Sequence, residues 1–241
     1  MKYILKNRAS KGHDRLVALK RENGTYSNVK NDKSKKDKSK NDYIRDEVIL
    51  SLLEEQNFQC AYCMKSIKLE NTFIEHIIGQ KYIEDGIEIG KENEINYDNL
   101  LAVCDGKSCK NQLHCDKSRA NYQKERPLFS NPLEKRIMEN IKFTNTGFVY
   151  YKEFIDISEL DKLKEHTTLD EKSNIQYDIQ NVLNLNCNSL KEKRQSIINA
   201  LKRKTKNWQK EKVKKEYEKY LANPNTEFSQ VAIYHLKKKI S

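Results

Sequence analysis

The sequence predicts an α+β chain, mostly α-helical, with a small cysteine-stapled core between an N-terminal arm and a helical C-terminal region. Three observations carry this. Apolar residues recur at helical spacing over 43–57 and through most of 189–240. Short β-rich runs lie between two separated groups of cysteines, at 60–63 and 104–115. A second β-rich pair, 141–144 and 148–150, brackets the turn Asn145-Thr146-Gly147. The expected divisions are 1–42, an N-terminal arm and flexible Lys/Asn/Ser-rich linker; 43–130, the core; and 131–241, the helical region with its small hairpin near 141–151.

Taken in order, Tyr3, Ile4 and Leu5 form a short apolar patch, and Leu16, Val17 and Leu19 suit a short helix over 14–20. Residues 23–41 are almost wholly polar. Such a stretch buries too little surface to offset its ordering entropy, so a linker is expected. In 43–57, Ile44, Val48, Ile49, Leu52 and Leu53 share one helical face, with Asp42 as the expected N-cap. Alternation over 66–69, a turn at Glu70-Asn71 and the β-rich Thr72, Phe73 and Ile74 predict a hairpin over 65–77. A polar loop is expected over 79–97, and a helix from Asp116 that stops before Pro127. Further helices are expected over 132–138, 155–163, 179–185, 189–207 and 209–222, and a last one after Pro224.

The chain has 241 residues, 37% hydrophobic and 34% charged, with a net charge of +11. Such a charge suits a polyanion, most commonly nucleic acid, although Lys-rich helices also serve solubility alone. Six unevenly spaced cysteines do not form a secreted disulfide framework. Met1 to Lys6 show no apolar signal region, and no run is long enough to span a bilayer. The expected location is cytoplasmic, with no membrane association.

Cys60-x2-Cys63 is a tight turn whose two thiolates can share a tetrahedral Zn²⁺, which needs two more ligands in a closed structural site. Cys104, at the end of the apolar run Leu100 to Val103, and Cys115, at the start of a predicted helix, are the expected second pair. Cys109 or His114 stands close enough in sequence to replace one of them. Cys187 reads as a core thiol.

Between these cysteines lie Glu75, His76, Asn99 and Asp116. Phosphodiester hydrolysis needs a deprotonated water and charge relief at the leaving oxygen. A neutral imidazole, His76, serves the first need. A divalent ion held by carboxylates, Glu75 and Asp116, serves the second. Adjacent strand residues face opposite ways, so Glu75 and His76 would approach a phosphate from different directions. Asn99 suits a hydrogen-bonding role that fixes the loop and the imidazole. Lys117 and Arg119 suit contacts to flanking phosphates, as nucleic-acid-binding residues. Each residue alone is a weak signal; their common placement between the halves of one cysteine cluster is the stronger one.

These pieces together, Cys60-x2-Cys63, Glu75-His76-Ile77, Asn99-Leu100 leading to Cys104, and Cys115-Asp116-x2-Arg119, resemble the HNH endonuclease family. The resemblance implies a zinc-stapled ββα-metal core, with His76 as general base, Asn99 in the middle position and Asp116 in the last, where His or Asn is more usual. Glu75 stands where Asp is more usual. Both departures keep oxygen ligands, which favours catalytic Mg²⁺ or Mn²⁺.

The likeness extends along the chain, through Met1-Lys2-Tyr3-Ile4, Cys60-Ala61-Tyr62-Cys63-Met64, Leu101 to Gly106, His114 to Lys117, Val182 to Asn186 and Tyr234 to Lys238. It is similar to the HNH effector subunits of Septu-type anti-phage defence systems, also found beside bacterial retrons. That similarity implies a partner ATPase and, in retron versions, a reverse transcriptase with its RNA–DNA product. The expectation is a metal-dependent nuclease cutting DNA or an RNA such as tRNA. The alternative is a non-catalytic zinc module that binds nucleic acid, or an interaction subunit. The basic run from Lys202 to Lys215 is first a scaffold helix face, and then a possible track for nucleic acid.

Overall fold

The computed structural model describes residues 1–29, 40–107, 112–120, 126–152 and 170–241. The fold is α+β and about half helical, with two small sheets. The expectations for Cys109, most of the linker, the helix beyond Ala120 and the helix over 155–163 fall wholly or partly outside the described residues.

Helix α1 (Lys11–Arg21) packs on α3 (Lys40–Glu55), with Gly12 at the crossing. A Cβ on Gly12 would stand 2.7 Å from the Val48 Cα, so only glycine allows this approach. Helix α3 buries Val48, Ile49, Leu52 and Leu53 completely, the face its spacing predicts. It starts at Lys40, so Asp42 lies inside its first turn and is not the N-cap. It ends at Glu55, because Asn57 and Phe58 take left-handed φ values of 55° and 54° to turn the chain toward Cys60.

The expected linker is ordered at its start. Helix α2 (Tyr26–Val29) buries both Tyr26 and Val29, the two side chains able to hold it against the core. Met1 and Ile4 are buried in the same core, and the Ile4 N–H donates to Pro132 O at 3.0 Å.

The hairpin over 65–77 is not what forms. Residues 69–71 make a 3-10 turn, and Ser66 meets only Gln59, in an isolated bridge. Strand β1 (Phe73–His76) pairs antiparallel with the distant β2 (Leu100–Val103), Glu75 opposite Leu101 and His76 opposite Leu100. The reason is burial: all four β2 residues are buried, and a strand covered on both faces needs its backbone paired. Gln56 clamps the other edge, with Oε1 accepting from the Ala102 N–H at 2.8 Å and Nε2 donating to Ala102 O at 2.7 Å. Between the strands lies the short α4 (Ile89–Glu92), where the sequence predicts only loop.

Helix α5 (Cys115–Arg119) follows β2 through Gly106, whose φ is +62°. A Cβ there would lie 2.3 Å from His114 O. Helix α6 (Lys135–Glu139) leads into the hairpin of β3 (Ile141–Phe143) and β4 (Val149–Tyr151), paired as expected, with Gly147 at φ +78° in its turn. Helix α7 (Glu171–Tyr177) runs into a π-helical turn, Asp178–Val182.

Helices α8 (Asn188–Lys204), α9 (Lys210–Ala222) and α10 (Ser229–Ile240) form a C-terminal bundle over Leu201, Val213, Ala232 and Leu236. It is joined to the cysteine turn, since the Phe228 N–H donates to Met64 O at 3.1 Å. Among the described residues, no helix is long and apolar enough to cross a membrane.

Candidate metal centre and carboxylate site

Four cysteines, Cys60, Cys63, Cys104 and Cys115, converge with all Sγ atoms within 4.8 Å of one another and all four buried. Cys60 lies 3.8 Å from Cys115, and Cys63 lies 3.8 Å from Cys104. A tetrahedral Zn²⁺ with Zn–S bonds of about 2.3 Å needs S···S edges of about 3.8 Å. The set therefore fits zinc as it stands.

The surrounding backbone fixes it. The Met64 N–H donates to Cys60 O at 3.0 Å, closing the turn, and Met64 itself takes a left-handed φ of 65°. Cys104 follows directly on β2. The Cys115 N–H donates to Leu183 O at 2.9 Å, and Cys115 also has a positive φ, 54°. Left-handed backbone at two non-glycine supports of one cluster, Met64 and Cys115, is the pattern expected where a ligand geometry dictates the backbone. Burial opposes ionisation of Cys60, yet hydrogen bonds from the thiols of Cys104, Cys115 and Cys63 hold it well below the ordinary thiol range. Burial pushes Cys115 up.

His114 is not one of the four. It is buried beside them, its Nδ1 3.1 Å from Cys115 Sγ, placed to orient a sulfur.

Clamped by this cluster, β1, β2 and α5 bring the carboxylates together. Asp116 lies close enough to Glu75 to act on its ionisation. Burial pushes the Glu75 carboxyl up to about 7; Arg119 pulls against this, and Asp116 adds to it. A proton or a cation between two such groups relieves their repulsion.

Arg119 has a different place from the one expected. It is 1% exposed, and its Nη1 donates to Glu75 Oε1 and to His76 O, both at 2.6 Å. Its Nη2 donates to Ile77 O at 2.8 Å and Arg126 O at 3.1 Å. A guanidinium committed to these inner oxygens is not presented to a phosphate at the surface. It braces the end of β1 instead. Lys117, by contrast, is exposed on the outer side of α5.

His76 projects away from Glu75, as alternation on a strand requires. Its Nε2 lies 2.9 Å from Glu94 O. A carbonyl only accepts, so Nε2 carries the proton and Nδ1 is the basic nitrogen. Asn99 holds this arrangement: its Oδ1 accepts from the Ile78 N–H at 2.7 Å, and its Nδ2 donates to Ile78 O at 3.1 Å and to Asn93 O at 3.0 Å. It thereby ties the loop after β1 to the residue preceding Glu94.

Tyr26 is the site residue the sequence does not suggest. Its ring stands edge-on to His76, centroids 4.5 Å apart, and its N–H donates to Glu94 Oε1 at 3.1 Å. Burial pushes its hydroxyl up to about 12, with Glu75 and Asp116 adding to the rise. It lies over both halves of the site. The one signal for it is an aromatic residue and a valine three positions apart in an otherwise polar stretch.

No known family model matches the chain, and a search of curated proteins gives no match.

Proposed function

We propose that the chain is a metal-dependent phosphodiesterase of the HNH kind, acting on DNA or RNA. One observation supports the reading: Asp116, at the start of α5, acts on the ionisation of Glu75 in the paired strand β1, next to a His76 ring whose Nε2 is held by Glu94 O. In this reading Glu75 and Asp116 would hold Mg²⁺ or Mn²⁺, which would supply positive charge for the leaving oxygen. His76 takes the proton of the attacking water at Nδ1, while Glu94 O keeps the ring oriented. Asn99 positions the loop, Arg119 holds Glu75 in place, and Lys117 offers its ammonium to a neighbouring phosphate. Zinc on the four cysteines contributes stability and no chemistry. The proposal extends to a toxic effector role in anti-phage defence, in a cytoplasmic complex with a controlling ATPase and, in a retron setting, a reverse transcriptase with its RNA–DNA product.

One feature favours the non-catalytic alternative. His76 is only 8% exposed and lies against Tyr26, so a substrate reaches Nδ1 only if α2 shifts. The discriminating experiment measures Mg²⁺-dependent cleavage of plasmid DNA and of tRNA by the wild type and by His76→Ala, with zinc content measured in both. Cleavage that falls at least a hundredfold with zinc retained supports the enzyme. Equal cleavage by both proteins removes His76 as the general base; no cleavage by either, alongside intact nucleic-acid binding, selects the binding module.

A further inference from the structure

A cleft of about 300 Å³ lies between residues 1–3, the α6–β3 segment and α10. Three lysines line it, Lys2, Lys142 and Lys237, each from a different one of these segments. Lys152 and Lys238 stand close behind, near enough to repel the Lys142 ammonium. The one carboxylate at the cleft, Glu139, is largely exposed and sits 3.8 Å from Lys135 on its own helix. Lys142 Nζ donates to the main-chain oxygen of Glu139 at 2.5 Å and not to its carboxylate. Among the described residues, none of the five lysines forms an ion pair with a carboxylate.

Five cations gathered around one exposed carboxylate, Glu139, are unfavourable for the empty protein. Burial lowers the Lys2 ammonium to about 8, and burial with the neighbouring lysines lowers Lys142. Nothing in the packing requires this convergence, because lysine stems reach water easily from most surface positions. Part of the wall is aromatic: Phe143 and Tyr234 meet edge-on with centroids 5.7 Å apart, and Lys238 lies 4.4 Å over the Tyr234 ring. The volume sits at the lower end of small-molecule sites, about 300–1,000 Å³.

We propose that this cleft is a phosphate-binding site, with the anion held by the ammonium groups of Lys2, Lys142 and Lys237 and its organic part against Tyr234 and Phe143. The ligand class is a phosphate carried on a nucleoside, whether a free nucleotide or one unit of a strand. The site shares no residue with the cysteine cluster or with the Glu75–Asp116 pair, so it stands whether or not the chain cleaves nucleic acid.

The test is lysine acetylation by N-hydroxysuccinimidyl acetate, read residue by residue by mass spectrometry on the full chain without added Mg²⁺. The probes are inorganic phosphate, AMP and a 16-nucleotide single-stranded DNA, each at an ionic strength matched with NaCl. Acetylation of Lys2, Lys142 and Lys237 is expected to slow at least fivefold, while the exposed Lys210 and Lys214 of α9 are unchanged by phosphate and AMP. Protection by AMP identifies a nucleotide site; protection by the oligonucleotide alone identifies a strand-backbone site. In the K142A/K237A variant, protection of Lys2 is expected to disappear. Failure of all three probes at 10 mM phosphate groups overturns the proposal. So does equal slowing at every lysine, the mark of bulk screening, or retained protection of Lys2 in the double variant.

Discussion

Replacing Arg119 with methionine tests whether this residue braces the site from within or reaches out to nucleic acid. The substitution keeps most of the side-chain volume and removes the charge. It leaves Glu75 near Asp116 with no cation inside, and it frees the carbonyls of His76, Ile77 and Arg126 that Nη1 and Nη2 now satisfy. Removing one partner of a buried, hydrogen-bonded ion pair costs about 3–5 kcal/mol. For a chain of this size, each kcal/mol lowers Tm by about 2–4 °C, so the expected fall is about 6–20 °C. The pair Glu75→Gln with Arg119→Met removes the stranded charge as well and recovers part of the loss. Circular dichroism melts of the three zinc-loaded proteins measure this. A fall below about 3 °C for Arg119→Met, together with a weaker salt dependence of nucleic-acid binding, would refute the internal role and restore the phosphate contact read from sequence.

Two other outcomes follow from the same geometry. Cys104→Ser removes one tetrahedral ligand and with it most of the zinc; metal analysis is expected to read about one zinc per wild-type chain and far less in the variant, with a lower Tm. Protons and Mg²⁺ compete for Glu75, whose folded pKa of about 7 exceeds its unfolded value of 4.5. In the metal-free protein its contribution to stability is full below pH 4.5 and is lost as pH rises through 7, a change of about 3 kcal/mol at ~1.4 kcal/mol per pKa unit. Titration calorimetry should show Mg²⁺ binding tightening up to tenfold per pH unit below 7 and levelling off above it.

The amphipathic helices were legible because their apolar spacing needs no knowledge of a partner. The four cysteines were legible as a set because thiols at those separations have few other uses in one chain. The pairing of β1 was not. Glu70-Asn71 offers a local turn, and sequence alone does not show that the buried strand at 100–103 competes for the same edge and wins. Arg119 illustrates a second limit. An arginine on a short helix beside an acid looks like a phosphate contact until burial and its carbonyl partners are seen. Tyr26 illustrates a third, since four residues inside a polar stretch carry almost no pattern, and their order comes from packing against His76.

The most direct test places a cation. Crystals grown with zinc and soaked in Mn²⁺ should show two anomalous peaks per chain. One belongs among the four sulfurs. The other belongs within about 2.2 Å of carboxylate oxygens of both Glu75 and Asp116, on the side that His76 Nδ1 can reach through a water. A single peak at the sulfurs, with the two carboxylates unmoved at Mn²⁺ concentrations that support cleavage, would contradict the account.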